Sequence, residues 1–472
     1  MGTLFITRRI LGPEKTGIWN LIQTISSYAV TVNSGVESGA EREIPYWHGR
    51  GDTEQEVLAR SQMFSSALLE STLSAIVLGI FAVFTRHHYR HDLVLGIVCA
   101  AVYVILWRIS GCYLVALRTT RNFVLIGKSQ IIFAFIDFIT GVGLVYGWKL
   151  TGQCISFGIG LLLRIVFYHH LIRSKDLFGF RWHFTWQTLK PLLALGFPLV
   201  IGGFFWQLLV SIDSLIVAKL CGITALGYYS IGLSAGRSVA EIPSVFSTVV
   251  FPQMILDYGR NENPSLLGRG LYRNLESVVY FLGPFLLCFF YFLFPLAVRH
   301  YLKQFELGIP TIKILILSGF FISLTHFPGQ LLTTQKKVVL SSSFLLVATA
   351  LTSGLAWISS RWGIWYVAVS VTFSYGVYFT LQCGYAFYST LGLRGAWRAY
   401  AKLLGGIVYI VLILGVVDHS LPLTPHAPFI PDLLRTLHQV IISMLCFLPL
   451  FWKAEHDLSM WSKLRTLWTE RQ

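Results

Sequence analysis

Long apolar runs separated by short polar connections make up most of the chain. Each run holds about 20 residues, the number that a helix needs to cross the hydrocarbon of a bilayer. Backbone groups in hydrocarbon must be hydrogen-bonded within the segment, so the runs are predicted to be helices. The predicted spans are residues 17–36, 61–85, 93–117, 123–148, 152–170, 191–220, 227–256, 278–298, 311–332, 338–359, 363–387, 400–417 and 436–452.

The first ten residues are apolar but too short to cross a bilayer. They are predicted to be the end of a further span, of which about 20 residues would precede Met1. The expected fold is therefore all-α: a polytopic membrane protein with about 14 transmembrane helices, the first one truncated. Residues 171–190 carry Arg and Lys beside tryptophan and predict a linker between two halves, and residues 453–472 predict an amphipathic helix on the membrane surface.

A short glycine turn in the stretch 213–229 ends one span and opens the next. The same order of residues stands near the N-terminus at one constant offset: Arg9, Gly12, Gly17 and Trp19 match Lys219, Gly222, Gly227 and Tyr229. This pattern predicts an internal repeat, which is common in secondary transporters. The alternative is a common membrane turn that occurs twice.

Composition supports an integral membrane protein and leaves little material for a soluble domain. Charged residues make up 12% of the chain and hydrophobic residues 54%. The formal net charge of +15 would suggest a nucleic-acid partner in a soluble chain. Here Lys and Arg concentrate in alternate connections, which predicts that these connections and the C-terminus are cytoplasmic. No nucleic-acid partner is expected, because the positive charge belongs to these connections. No metal is expected, because the cysteines lie singly within spans and His87 and His91 fall in a short outer loop. No cofactor is expected either.

Charges inside predicted spans are the candidates for function, since each costs several kcal/mol unless it is paired or hydrated. They are Glu70, Arg108, Asp137, Arg164, Asp213, Arg237, Glu241 and Lys313. Arg108 either grips a phosphate group in bidentate fashion or bridges to Glu70 or Asp137 on a neighbouring helix. Asp213 either binds a coupling proton or cation, or pairs with a cation nearby. Arg237 and Glu241 stand four residues apart on one helix, where they can neutralise each other.

Two enzyme-like motifs do not predict an enzyme. Gly127-Lys128-Ser129 resembles the end of a phosphate-binding loop, but Asn122 stands where that loop needs its first glycine. Gly232 to Gly236 has the letters of a nucleophile elbow but lies within a membrane helix, where small residues favour close packing.

Three segments of the chain resemble the polysaccharide-export flippases, the O-antigen and exopolysaccharide translocases of the multidrug, oligosaccharidyl-lipid and polysaccharide exporter superfamily. They are residues 9–17, residues 116–123 and the stretch from Asp213 through Gly227-Tyr228-Tyr229. The resemblance covers essentially the whole chain in the number and order of its spans, and departs from the family at the missing start of the first helix.

The resemblance implies two pseudo-symmetric six-helix lobes that enclose a cavity, followed by two additional helices. The expected domains are an N-lobe at 1–170, a cytoplasmic linker at 171–190, a C-lobe at 191–388, two additional helices at 389–452 and the tail at 453–472. The implied function is to flip an undecaprenyl-diphosphate-linked oligosaccharide across the bacterial inner membrane, alongside glycosyltransferases and a glycan polymerase.

The resemblance also implies roles for particular side chains. Arg108, Arg237 and Arg9 are expected to contact the diphosphate, while the lipid tail stays among membrane lipids. Asp213 and Glu70 are expected to bind the coupling proton or cation. The alternatives are a multidrug or cation exporter, a lipid II flippase and, from another class, a membrane glycan polymerase or ligase.

Overall fold

The computed structural model describes residues 2–87, 91–119, 123–174, 182–261, 264–335, 337–422 and 428–458. These residues are almost entirely helical and contain no β-strand. The predicted all-α fold is therefore confirmed. The chain packs as two compact units, Met1–Gly227 and Tyr228–Gln472. The predicted lobe and linker boundaries stay predictions, and residues 175–181 of the linker and most of the tail lie outside the described residues.

The first unit holds seven helices and the beginning of an eighth. They are α1 (Gly2–Thr31), α2 (Val36–Arg50), α3 (Thr53–Thr85), α4 (His91–Thr119), α5 (Phe123–Ser174), α6 (Trp186–Leu209), α7 (Ile212–Ile216) and α8 (Ile223–Asn261). A π-helical turn, Val217–Cys221, joins α7 to the turn before α8.

The second unit continues α8 and adds nine further helices. They are α9 (Pro264–Ser277), α10 (Gly283–Cys288), α11 (Phe294–Tyr301), α12 (Ile309–Leu324), α13 (His326–Thr334), α14 (Val338–Ser359), α15 (Ile364–Ser420), α16 (Phe429–Cys446) and α17 (Leu448–Leu458). Short π-helical and 3₁₀ segments join several of them end to end.

Nine helical stretches of the described residues are long and apolar enough to cross a membrane, and two of them, Pro264–Tyr301 and Lys303–Thr334, combine consecutive helices. Two others hold more than one crossing, because their lengths exceed what a bilayer needs. The 57 residues of α15 would extend to about 85 Å as one straight helix, against about 30 Å of hydrocarbon. Its backbone turns at Gly392, and that of α5 turns at Lys149, close to the predicted connections between spans.

Helix α2 occupies a segment that the sequence pattern predicted to be a polar connection. Val36, Ala40 and Ile44 recur every four residues on one face of α2 and are buried against α3, α4 and α6. The opposite face carries exposed charged groups. The polar residues of this segment therefore belong to an amphipathic helix rather than to a loop.

The two glycine turns of the predicted repeat have the same backbone conformation. Gly12 has φ 74° and ψ 174°, and Gly222 has φ 96° and ψ 165°. Side chains with a Cβ rarely adopt this region, which explains the glycine at both positions. Five residues further on, a Cβ on Gly17 would lie 1.9 Å from the carbonyl oxygen of Ile223, and one on Gly227 the same distance from that of Pro13. The contact is reciprocal at the repeat offset, as the predicted internal repeat requires.

Candidate functional site

A non-helical segment, residues 32–35, closes the predicted span 17–36 and separates α1 from α2. Helix α1 ends at Thr31 and α2 begins at Val36. Gly35 has φ 92°, and a Cβ on it would lie 2.5 Å from the backbone carbon of Gly196 in α6. Only glycine satisfies both conditions, so the interruption is specified by the sequence. Interrupted helices at membrane depth are typical of the binding sites of transporters.

Side chains from α3, from α4 and from the interruption itself bind the backbone groups that the interruption leaves without helical partners. Arg108 Nη2 donates to the carbonyl oxygen of Val30 at 2.5 Å, and Asn33 Nδ2 donates to that of Thr31 at 2.9 Å. The backbone N–H of Ser34 donates to a carboxylate oxygen of Glu70 at 3.2 Å, and the Ser34 hydroxyl donates to the other oxygen. We call Asn33, Ser34, Glu37, Glu70 and Arg108 the helix-break cluster.

Arg108 is the cation of this cluster. Its side chain is 3% exposed, and Nη1 donates to Glu37 Oε2 at 2.7 Å. The guanidinium therefore bridges Glu37 in the first turn of α2 to Val30 in the last turn of α1. The other oxygen of Glu37 faces Cys112 Sγ at 3.9 Å. Arg108 Nε is buried and has no hydrogen-bond partner in the described part of the chain.

Within the cluster, Glu70 is the carboxylate that has no positively charged partner among the described residues. It lies 17 residues after the start of α3 and 15 before its end, so it stands near the middle of that helix. Its contacts are the two groups of Ser34, and it forms no ion pair within the described residues. A carboxylate at this depth without a positive partner is a candidate to bind a proton or a cation.

Asp213 lies at a second interruption, between α6 and α7. Helix α6 ends at Leu209, and Asp213 stands in the first turn of α7, where it is fully buried. Its Oδ1 accepts from the backbone N–H of Ser214 at 2.7 Å. Asp213 therefore lies at one helix interruption, and Glu70, in the continuous helix α3, contacts the other through Ser34.

A polar network joins α1 to the second interruption. The Tyr28 hydroxyl lies 2.9 Å from Ser211 Oγ, and Gln207 Nε2 donates to Ser27 Oγ at 2.8 Å. Ser27 and Tyr28 stand in the last two turns of α1, just before the first interruption. One helix end thus contacts both breaks, within the first compact unit.

Arg9 and Arg237, the other two predicted phosphate ligands, are exposed. Arg9 lies on α1 before the Gly12 turn, and Arg237 lies on α8 in the second unit. The predicted neutralisation of Arg237 by Glu241 does not occur, since both side chains are exposed and the described residues show no ion pair between them. Neighbours at this spacing gain only about 0.2–0.5 kcal/mol, which does not compel pairing.

The remaining intramembrane charges are paired. Arg164 binds Asp137, so Asp137 is not the partner of Arg108. Lys313 Nζ lies 2.5 Å from Asp418 Oδ1 and 5.3 Å from the centre of the Tyr291 ring. These contacts account for the two cations without any ligand.

An open apolar groove of about 500 Å³ lies in the second unit. Ile314, Phe321, Phe373, Tyr400 and Leu404 form part of its wall. Its polar groups are few, and the Tyr400 hydroxyl is already bonded to Thr380 Oγ1 at 2.7 Å. The groove can therefore hold an aliphatic chain but offers little to a polar ligand.

Glu37 is the site residue that sequence reasoning missed. The hydrophobic pattern predicts a polar connection at this position, and no local pattern links Glu37 to an arginine 71 residues away. Two signals were present. The run Asn33-Ser34-Gly35 is typical of a turn, and the apolar positions that follow recur with a helical period.

Comparison with solved structures shows which known proteins share this fold. The chain is similar to the lipid II flippase MurJ in its inward closed conformation, with a TM-score of 0.61 and 13% identity over 97% of this chain and 98% of that one. It is also similar to an inward-facing multidrug resistance MATE family transporter of the MOP superfamily, with a TM-score of 0.60 and 12% identity over 85% and 94% of the two chains. It is similar to a eukaryotic MATE transporter as well, with a TM-score of 0.56 and 13% identity over 85% of this chain and 98% of that one. At such identities the likeness shows the fold alone.

Sequence comparison gives the family. No curated protein matches the chain. A family model described as polysaccharide biosynthesis protein matches residues 6–306. The match covers both glycine turns, the helix-break cluster and both helix interruptions, and it is longer than half of the chain. The chain thus belongs to the family of polysaccharide biosynthesis proteins and has the membrane transporter fold of the MOP superfamily.

Proposed function

We propose that the protein is a flippase that moves an undecaprenyl-diphosphate-linked oligosaccharide across the bacterial inner membrane by alternating access. The observation that carries this proposal is the helix-break cluster, in which charged groups surround an interrupted helix at membrane depth. Family membership supports the glycan part of the substrate. A sugar and a diphosphate cannot cross hydrocarbon unaided, because desolvating a charge costs tens of kcal/mol in an apolar medium. A polar site inside the bilayer lowers that barrier.

The proposed roles of the site residues follow their charges. Arg108 holds the diphosphate, and Arg9 and Arg237 contact it earlier or later along its path. The guanidinium suits this role because its planar donors match the oxygens of a phosphate group. Glu70 and Asp213 bind the coupling proton or cation at the two helix interruptions. The exposure of Arg9 and Arg237 supports contact with a ligand, whereas the burial of Arg108 requires that its present partners move first.

The polyprenyl tail needs only an apolar path. The groove of the second unit supplies one that is lined almost entirely by aliphatic and aromatic side chains. A tail that rests there keeps its surface away from water while the headgroup crosses. The protein would then act beside the glycosyltransferases that build the oligosaccharide and the polymerase that consumes it, with its C-terminus in the cytoplasm.

A test in cells distinguishes transport of the glycan lipid from other functions. Deletion of the gene is expected to trap lipid-linked repeat units in the inner leaflet and to remove surface glycan. The wild-type chain restores surface glycan, whereas Arg108→Ala, Glu70→Gln and Asp213→Asn are expected to restore it poorly. Arg118→Ala, on the exposed end of the same helix as Arg108, is the matched control and should restore it fully. Normal surface glycan in the deletion strain would reject the proposal.

Export of an organic cation is the second candidate, and one observation favours it. The helix-break cluster contains two carboxylates, Glu37 and Glu70, against one guanidinium, so it has an excess of negative charge when all three are ionised. Such a site attracts cations. Efflux of a fluorescent organic cation by the wild-type chain, lost in Glu70→Gln, together with intact surface glycan in the deletion strain, would favour this function over the first.

A further inference from the structure

We propose that Glu37 is an internal stand-in for the anionic headgroup: it holds Arg108 in the empty protein and is exchanged for a phosphate group when substrate binds. The inference rests on the proposed function and adds a residue, Glu37, to the site. It also names the event by which the buried guanidinium becomes available.

The contact between the two side chains is incomplete. A carboxylate and a guanidinium can form two parallel hydrogen bonds, but here only Oε2 of Glu37 bonds to Arg108, through Nη1 at 2.7 Å. The other carboxylate oxygen faces the weak donor Cys112 Sγ. Arg108 Nε is left buried and without a partner among the described residues. A group with several acceptor oxygens, such as a phosphate, satisfies more of the donors than Glu37 does.

Exposure shows which partner can leave. The Glu37 side chain is 26% exposed, whereas that of Arg108 is 3% exposed. A ligand that approaches the cluster therefore meets Glu37 first and reaches the guanidinium only if Glu37 moves. Arg108 sits within the unbroken helix α4, but Glu37 stands two residues after Gly35, at the start of α2. Rotation of the Glu37 side chain can carry its carboxylate away without unwinding any helix.

The charge of the incoming group also favours the exchange. A diphosphate carries more negative charge than one carboxylate and so binds the guanidinium more strongly. Glu37 thus neutralises Arg108 between transport cycles. An unpaired guanidinium would be costly in hydrocarbon.

The experiment measures binding of farnesyl diphosphate, a short soluble prenyl diphosphate, to the purified full chain in detergent. Glu37→Gln removes the competing charge while it keeps the shape and an acceptor oxygen. It is expected to lower the Kd for farnesyl diphosphate about tenfold, within the range usual for coupled sites. Glu41→Gln, four residues along the same helix and paired with the exposed Arg118, is the matched control. Its Kd should stay within about twofold of the wild-type value, well below that range.

The gain in affinity must depend on Arg108. In an Arg108→Gln background, Glu37→Gln is expected to give no gain. An unchanged or higher Kd in Glu37→Gln overturns the proposal, as does an equal gain in Glu41→Gln or a gain that survives without Arg108. No binding of farnesyl diphosphate to any variant overturns it as well.

Two further measurements keep the test decisive. If Glu37→Gln does not fold, Glu37→Asp draws the carboxylate back by one methylene, and a gain in affinity smaller than tenfold is expected; no gain rejects the exchange. The deletion experiment on surface glycan tests the proposed function independently. Loss of surface glycan together with an unchanged Kd in Glu37→Gln would retain the flippase and reject the role of Glu37.

Discussion

Replacing Gly227 by alanine tests the helix crossing at which the two glycine turns of the repeat meet. A Cβ at position 227 would lie 1.9 Å from the carbonyl oxygen of Pro13 and 2.6 Å from its carbonyl carbon. Both of these atoms belong to the backbone, so no rotamer change can relieve the overlap. A carbon atom and a carbonyl oxygen ordinarily approach to roughly 3.3 Å. The helices must therefore part by about 1.4 Å at this point.

The expected cost follows from that displacement. Overpacking of a close contact destabilises a protein by about 1–3 kcal/mol. Alanine gains about 1 kcal/mol over glycine in a helix, which offsets part of the cost. The matched control is Gly203→Ala in α6, because nothing lies within 4 Å of a Cβ there. The control has the propensity gain without the overlap, so Gly227→Ala should be less stable than Gly203→Ala by about 1–3 kcal/mol.

The assay is unfolding of the purified chain in detergent, followed with a thiol-reactive dye. Cys112, Cys154, Cys288 and Cys383 are buried and become reactive only when the structure opens. Denaturant titration of the same samples converts the shift in midpoint into a free energy. Gly17→Ala widens the same crossing, so the double variant should cost less than the sum of the two single changes. Equal stability of Gly227→Ala and Gly203→Ala, or strict additivity, would refute the reasoning.

Two further predictions concern buried polar contacts. The side chain of Gln62 is fully buried and accepts a hydrogen bond from the backbone N–H of Thr185, which fixes the start of α6. Gln62→Leu leaves that N–H without its acceptor and should lower the free energy of unfolding by about 1–3 kcal/mol. An unchanged denaturation midpoint would contradict this role of Gln62. A double-mutant cycle of Lys313→Met and Asp418→Asn, measured by the same titration, should give a coupling energy of about 0.5–3 kcal/mol. If the effects of the two changes simply add, the ion pair contributes nothing to stability.

The features predicted correctly from the sequence depend on local chemistry. The length of an apolar run is enough to specify a crossing helix, and most of the predicted spans lie within helices of the structure. Gly12 and Gly222 could be recognised because a positive φ leaves glycine as the natural choice at both turns. The repeat followed from their common spacing, without knowledge of any contact.

The helix-break cluster could not be predicted in the same way, because it is made by contacts between distant residues. The sequence identifies Arg108 as an intramembrane cation that either grips a phosphate or bridges to Glu70 or Asp137, but in the structure its carboxylate partner is Glu37. The choice among these acids depends on where α2 packs, which is settled by the close approach of Gly35 and Gly196. Nothing local in the sequence of α4 carries that information.

The crossing of Gly17 with Gly227 has a consequence for biosynthesis. Its two sides are separated by 210 residues, so the ribosome finishes the first side long before it makes the second. At about 5–20 residues per second, the delay is roughly 10–40 s. During that time the face of α1 around Gly17, which contacts α8 in the folded protein, must lie against lipid or the insertion machinery. A nascent chain that stalls before residue 227 would leave this face without its native neighbour.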